Sequence, residues 1–123
     1  MKISSNSQFS VFVDDMISFE EITAFLQRDL KQKYCIEISF SVKGMAEYDF
    51  CWMGKMPDQA DKTKDCYWYG LMPDGSQAYD YDNLDDFLSA PVFDGCSLRQ
   101  VWKDVTLDSV NGSEPEKWFP KQS

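Results

Sequence analysis

Apolar and polar residues alternate most cleanly in Ile36-Glu37-Ile38-Ser39-Phe40-Ser41-Val42. A period of two marks a strand with one buried face, so the spacing predicts a strand over 35–42 with Ile36, Ile38, Phe40 and Val42 inward. A different period precedes it. Phe19, Ile22, Phe25, Leu26 and Leu30 recur at steps of three and four, which predicts one long helix over about 18–33. Its start carries a capping box, Ser18-Phe19-Glu20-Glu21, in which Ser18 and Glu21 satisfy each other's backbone amides. Glu20 and Glu21 suit the positive end of the helix dipole; Arg28, Lys31 and Lys33 suit the negative end. A shorter alternation predicts an N-terminal strand over 9–13, stopped by Asp14-Asp15.

The rest of the chain reads as a meander. Lys43-Gly44 opens a turn and 47–53 reads as the returning strand, with Tyr48, Phe50 and Trp52 on one face and Asp49, Cys51 and Met53 on the other. Bulk on both faces suggests cover on both sides. A polar loop follows from Met56 to Asp65, and Lys55, Lys62 and Lys64 make it locally basic. The aromatic stretch 66–71 is a third strand, Met72-Pro73-Asp74-Gly75 has the residue order of a type I turn, and 77–81 returns. Asp82 or Asn83 caps a short helix over 84–89 that ends at Ala90-Pro91. Phe93-Asp94-Gly95 turns the chain, and Ser97 caps a second short helix with Leu98, Val101 and Trp102 at core spacing. A last strand over 106–110 meets a turn at Asn111-Gly112. Pro115 opens a final helical turn, from which Trp118 and Phe119 clamp onto the body. The expected architecture is a single α+β domain spanning 1–123: a twisted antiparallel sheet of four to five strands, with the long helix packed on one face and short C-terminal helices.

Composition narrows the chemistry. The 123 residues are 43% apolar and 15% aromatic, enough for a packed core. The net charge of −9 opposes phosphate backbones and anionic lipid and favours a basic partner. There is no histidine, so the usual general base, the Ser-His and Cys-His pairs and the commonest metal ligand are all missing. Cys35, Cys51, Cys66 and Cys96 include no C-x-x-C pair, and three of them fall within predicted strands, as reduced thiols acting as small apolar residues. No signal-like apolar leader precedes the domain and no run approaches a membrane span, so a cytoplasmic protein is expected. Asp58, Asp61 and Asp65 lack the spacing and glycine of a calcium loop. Asp80 and Asp82 share a strand face, yet nothing beside them suggests a sugar cleft. A cation on Asp80, Asp82 and Asp85 or Asp86 competes with a simpler helix-capping role. No catalytic residue, metal or cofactor is expected.

One block stands apart. From Asp74 to Asp94 the chain carries Asp74, Asp80, Asp82, Asp85, Asp86 and Asp94 and no Lys or Arg. Tyr67, Tyr69, Tyr79 and Tyr81 lie within or beside it. Aromatic anchors beside uncompensated acid are the mix found at interface hot spots, so these ten residues are the candidate partner-binding set. Asp82, Asp85 and Asp86 also suit the start of a helix, which leaves Asp74, Asp80 and Asp94 as the acids without a local explanation. From Trp68-Tyr69-Gly70-Leu71-Met72-Pro73-Asp74-Gly75, through Phe93-Asp94-Gly95-Cys96-Ser97-Leu98-Arg99-Gln100-Val101-Trp102, to Ser109-Val110-Asn111-Gly112, the chain resembles small acidic bacterial proteins of the toxin-immunity kind, over residues 66–119. That resemblance implies an inhibitor covering the active site or an exosite of a basic toxin domain, for instance a nuclease, with no direct contact to nucleic acid or membrane. Two other expectations stand beside it: a phosphate-mimicking blocker of a nucleic-acid-binding machine, of the phage anti-defence type, and a small regulatory adaptor.

Overall fold

In the computed structural model, which describes residues 17–27 and 35–119, the alternation around Phe40 becomes the second-from-edge strand of a five-stranded sheet. The order along the chain is α1 (Phe19–Gln27), β1 (Ile36–Val42), a 3-10 turn (Ala46–Tyr48), β2 (Cys51–Pro57), β3 (Asp65–Gly70), β4 (Ala78–Tyr81), α2 (Leu84–Ser89) and α3 (Leu98–Val101). A second 3-10 turn (Trp102–Asp104), β5 (Val105–Val110) and a third 3-10 turn (Pro115–Lys117) complete it. The sheet is antiparallel throughout, in the order β4-β3-β2-β1-β5. The first four strands are successive neighbours. After α2 and α3 the chain crosses the sheet, and β5 pairs with the other edge of β1.

Directly paired residues share a face, so the register extends the buried side of β1 across the sheet. Ile36, Ile38 and Phe40 lie opposite Lys55, Met53 and Cys51; Lys55 and Met53 lie opposite Tyr67 and Tyr69, which lie opposite Tyr81 and Tyr79. The helices pack on this inner face. Phe87 of α2 stacks on Tyr69, with ring centroids 4.1 Å apart and planes 9° apart. Phe93, fully buried, meets Phe40, Tyr48 and Tyr69 edge-on. Its position comes from a two-residue hairpin: Asp94 and Gly95 have φ of 54° and 87°, and Phe93 and Cys96 exchange both backbone hydrogen bonds. That geometry is a type I′ turn, which Asp-Gly favours because both central residues need φ > 0. The C-terminal turn packs as the sequence suggests. Trp118 and Phe119 sit edge-on against Phe25 at 5.6 and 5.0 Å, and the Trp118 indole donates to the Val110 carbonyl at 3.1 Å.

Several element boundaries differ from expectation. The helix expected over 18–33 is described only as nine-residue α1, behind the expected capping box: the Glu21 amide donates to Ser18 Oγ at 3.0 Å and the Ser18 amide to Glu21 Oε1 at 2.9 Å. Residues 28–33, with Leu30, and the strand expected over 9–13 lie outside the described residues, and every described helix is short. The second strand starts at Cys51, not 47, and runs to Pro57. Residues 46–48 close a 3-10 turn instead, with Tyr48 buried against Phe93. Gly54 and Lys55, which look like the end of a strand, are its middle. Lys55 is 5% exposed. Its ammonium pairs with Asp65 at 3.1 Å and donates to the Leu26 carbonyl at 2.9 Å, in the last turn of described α1. It is thus not part of a basic loop surface with Lys62 and Lys64. A buried ammonium is tolerated because its charge and its protons find partners.

Candidate interaction surface

Sheet parity sends the other half of each strand to the outer face, away from α2 and α3. There β1 presents Glu37, Ser39 and Ser41, β2 presents Trp52, Gly54 and Met56, β3 presents Cys66, Trp68 and Gly70, and β4 presents Ala78 and Asp80. The register aligns Glu37, Gly54, Trp68 and Asp80 in one row across four strands, and Ser39, Trp52, Gly70 and Ala78 in the adjacent row. Each tryptophan therefore faces a glycine on the neighbouring strand. The triplets Trp52-Met53-Gly54 and Trp68-Tyr69-Gly70 are the same W-x-G pattern, and antiparallel pairing makes them reciprocal.

The glycines give the indoles room. A Cβ on Gly54 would sit 2.8 Å from Cζ2 of Trp68 and 1.9 Å from the Ile36 carbonyl oxygen; one on Gly70 would sit 3.9 Å from Cζ3 of Trp68 and from Cβ of Trp52. The six-membered ring of Trp68 thus lies at both glycines, close to the backbone. Phe50, 52% exposed, packs edge-on against Trp52 at 5.6 Å and extends the apolar strip past the end of β2. Phe50, Trp52, Trp68 and Gly70, together with Glu37, Met72 and Pro73, line a groove of about 520 Å³, with no Lys or Arg among its lining residues. Glu37 is held in place by the turn after β5: its amide donates to Asn111 Oδ1 at 2.8 Å, and its carbonyl accepts from the Asn111 amide at 2.8 Å.

The ten residues expected at a partner surface are distributed unevenly. Tyr67 and Tyr69 point inward and are core; Tyr69 is 1% exposed, and its hydroxyl donates to the Phe87 carbonyl at 2.8 Å. Burial therefore removes both rings from any surface of the folded domain. Tyr81 is half-buried on the same inner face, and Tyr79, 36% exposed, lies at its edge. Asp80 points to the outer face beside Trp68. The Cys66 thiol is pushed up by burial first and then by the carboxylates of Asp80, Asp58 and Asp82. Asp85 and Asp86 occupy the first turn of α2, whose cap is Asn83: its Oδ1 accepts from the Asp86 amide at 2.8 Å, and its Nδ2 donates to the Asp86 carboxylate at 3.0 Å. Asp74 sits in the β3–β4 turn and accepts from the Ser76 amide at 2.8 Å; the Ser76 side chain first, then this amide, pull its carboxyl below the usual range. Asp94, at the hairpin tip, lies beside the Tyr48 phenol, which burial pushes up and the Asp94 backbone draws back. Asp80 is therefore brought together with Trp68, and Asp82 lies exposed just beyond the end of β4. Asp74, Asp85, Asp86 and Asp94 belong to other parts of the surface or to local turn and cap structure.

Glu37, Phe50, Trp52, Trp68, Gly54 and Gly70 are not among the ten residues expected from the sequence at a partner surface. The repeated W-x-G triplet was the available signal. Among the described residues no three His, Cys, Asp or Glu side chains gather as a metal site, and no helix is long and apolar enough to cross a membrane. No protein-family profile, curated protein or solved structure matches the chain.

Proposed function

We propose that this chain is a cytoplasmic binding protein that inhibits a basic protein partner, in the manner of an immunity protein neutralising a toxin domain such as a nuclease. The observation that carries this reading is the outer face of the sheet. Two tryptophans and an exposed phenylalanine line a groove there with Glu37 and without Lys or Arg, and Asp80 lies opposite Trp68 on the neighbouring strand. Apolar anchors supply contact energy, and unpaired acid selects a cationic partner and speeds its encounter. The reading is of binding without catalysis. Co-expression with the basic products of neighbouring genes tests it: one such product should be toxic alone, be neutralised by this chain, and lose affinity for the Asp80→Lys, Asp82→Lys double variant. Intact affinity in that variant, or no neutralised partner among those products, defeats the reading.

A second reading rests on the exposed acids of the 74–94 block, Asp80 and Asp82 among them, carboxylates that could imitate phosphates. It expects DNA or RNA to compete for the partner and affinity to fall steeply with salt.

A further inference from the structure

We propose that the Trp52–Trp68 platform is an anchor for an arginine side chain carried on a segment of the basic partner; the proposal rests on the reading of a basic protein partner given above. The row Glu37, Gly54, Trp68, Asp80 places an indole between two carboxylate-bearing strands, with a glycine on one side that keeps the ring low against the sheet. Neighbouring strands are about 4.8 Å apart, so the two acids lie about 14 Å apart at their Cα atoms, on either side of the ring. A guanidinium is flat. It stacks on an indole, attracted by the ring's quadrupole, while its forked N–H groups remain free to reach sideways to a carboxylate. The apolar wall formed by Phe50, Met72 and Pro73 gives the arginine's methylene stem a surface to cover.

Other occupants fit less well. A purely apolar side chain would strip water from Glu37 and Asp80 and return no hydrogen bond. A nucleobase could stack on the indoles, but its phosphates would meet the same acids and find no Lys or Arg in the groove. A lysine would satisfy one carboxylate as a point charge but could not stack as a plane.

The test uses the full chain labelled for indole N–H detection by NMR, with triarginine amide as the probe and trilysine amide, tricitrulline amide and a single-stranded oligothymidylate as comparisons. The Trp102 and Trp118 indoles, bonded to the Ile17 and Val110 carbonyls, report that the fold is intact. Triarginine should shift the Trp52 and Trp68 signals saturably and leave those of Trp102 and Trp118 unmoved. Trilysine should bind several-fold more weakly, and tricitrulline, which keeps the shape without the charge, should not bind. Trp68→Ala should abolish the effect, Trp68→Phe should weaken it, and Glu37→Gln with Asp80→Asn should weaken it by about tenfold. Equal binding of tricitrulline, stronger binding of the oligonucleotide, or triarginine shifts confined to residues near Asp85, Asp86 and Asp94 would overturn the anchor. If a neutralised basic protein binds the Trp52→Ala, Trp68→Ala variant with unchanged affinity, the anchor fails while the inhibitor reading stands. If triarginine occupies the platform but no basic protein is neutralised, the anchor stands while the inhibitor reading fails.

Discussion

Gly54 and Gly70 occupy equivalent places in their W-x-G triplets, but their backbones differ in clearance. A methyl group at Gly54 would run into the Ile36 carbonyl, a backbone atom that cannot turn aside, whereas at Gly70 it would meet only Cβ of Trp52 and the Trp68 ring at ordinary contact distance. Gly54→Ala should therefore lose about 2 kcal/mol or more of stability by urea unfolding. Gly70→Ala should be neutral or gain up to about 1 kcal/mol, because glycine weakens a strand interior. Equal behaviour of the two would contradict the register that pairs each with a tryptophan. The cysteines differ in the same local way. Cys51 is fully buried, its thiol donates to the Leu71 carbonyl at 3.6 Å, and burial, aided by Asp49, pushes its pKa to about 11. Cys35 is exposed. A thiol-specific reagent near neutral pH should label Cys35 rapidly and Cys51 only at the rate of global opening. Mass mapping of the labelled peptides would show the order.

At the scale of elements, the short helices depend on their ends. With six residues, α2 cannot hold itself by propensity, and its start rests on Asn83. Asn83→Ala should cost about 1 kcal/mol in the unfolding midpoint. The four-residue helix α3 has a full capping box, with Ser97 and Gln100 bonded reciprocally at 3.2 and 2.8 Å, and its Trp102 neighbour pins Ile17 through an indole hydrogen bond of 2.8 Å. The strands at the two sheet edges, β4 and β5, are kept from pairing with other chains in different ways. The four-residue β4 is short and bears Asp80, with Asp82 just beyond it, whereas β5 is interrupted by a register shift opposite Ser39 and Phe40.

For the whole molecule, the inner face concentrates aromatic rings around Phe87, and three groups there or beside it are held in their neutral forms. Tyr69, Tyr67 and Cys51 all have pKa values raised first by burial. The fold thus favours the protonated thiol and phenols, a contribution fully present below their unfolded values and lost as pH rises through the folded ones. For Cys51 the window opens near 9.0 and closes at about 11, and the tyrosines extend the loss to higher pH. The urea midpoint should therefore fall steadily above about pH 9. A Cys51→Ala variant should fall less over the Cys51 window, and a flat midpoint in that range would refute the assignment.

What the sequence determined by itself was whatever depends on short-range pattern. The alternation of 36–42, the capping box at Ser18, the cap at Ser97, the Asp94-Gly95 and Asn111-Gly112 turns and the C-terminal clamp all use partners a few residues apart or one strongly apolar face. An α+β domain with an antiparallel sheet of four to five strands followed from those signals. Parity and pairing across the sheet were not legible, because they depend on which residue of one strand lies opposite which residue of another. Tyr67 and Tyr69 read as surface anchors beside acid, yet the register turns them to the helices, where Phe87 covers them. Trp52 and Trp68 read as generic strand aromatics, yet the same register makes them the outer face and seats each against a glycine of the other triplet. Lys55 read as solvated, and only the approach of α1 and Asp65 gives its buried charge partners. The acids of the 74–94 block were contiguous in sequence alone; tertiary structure sets Asp80 beside Trp68 and leaves the others to turns, helix starts and the end of β4.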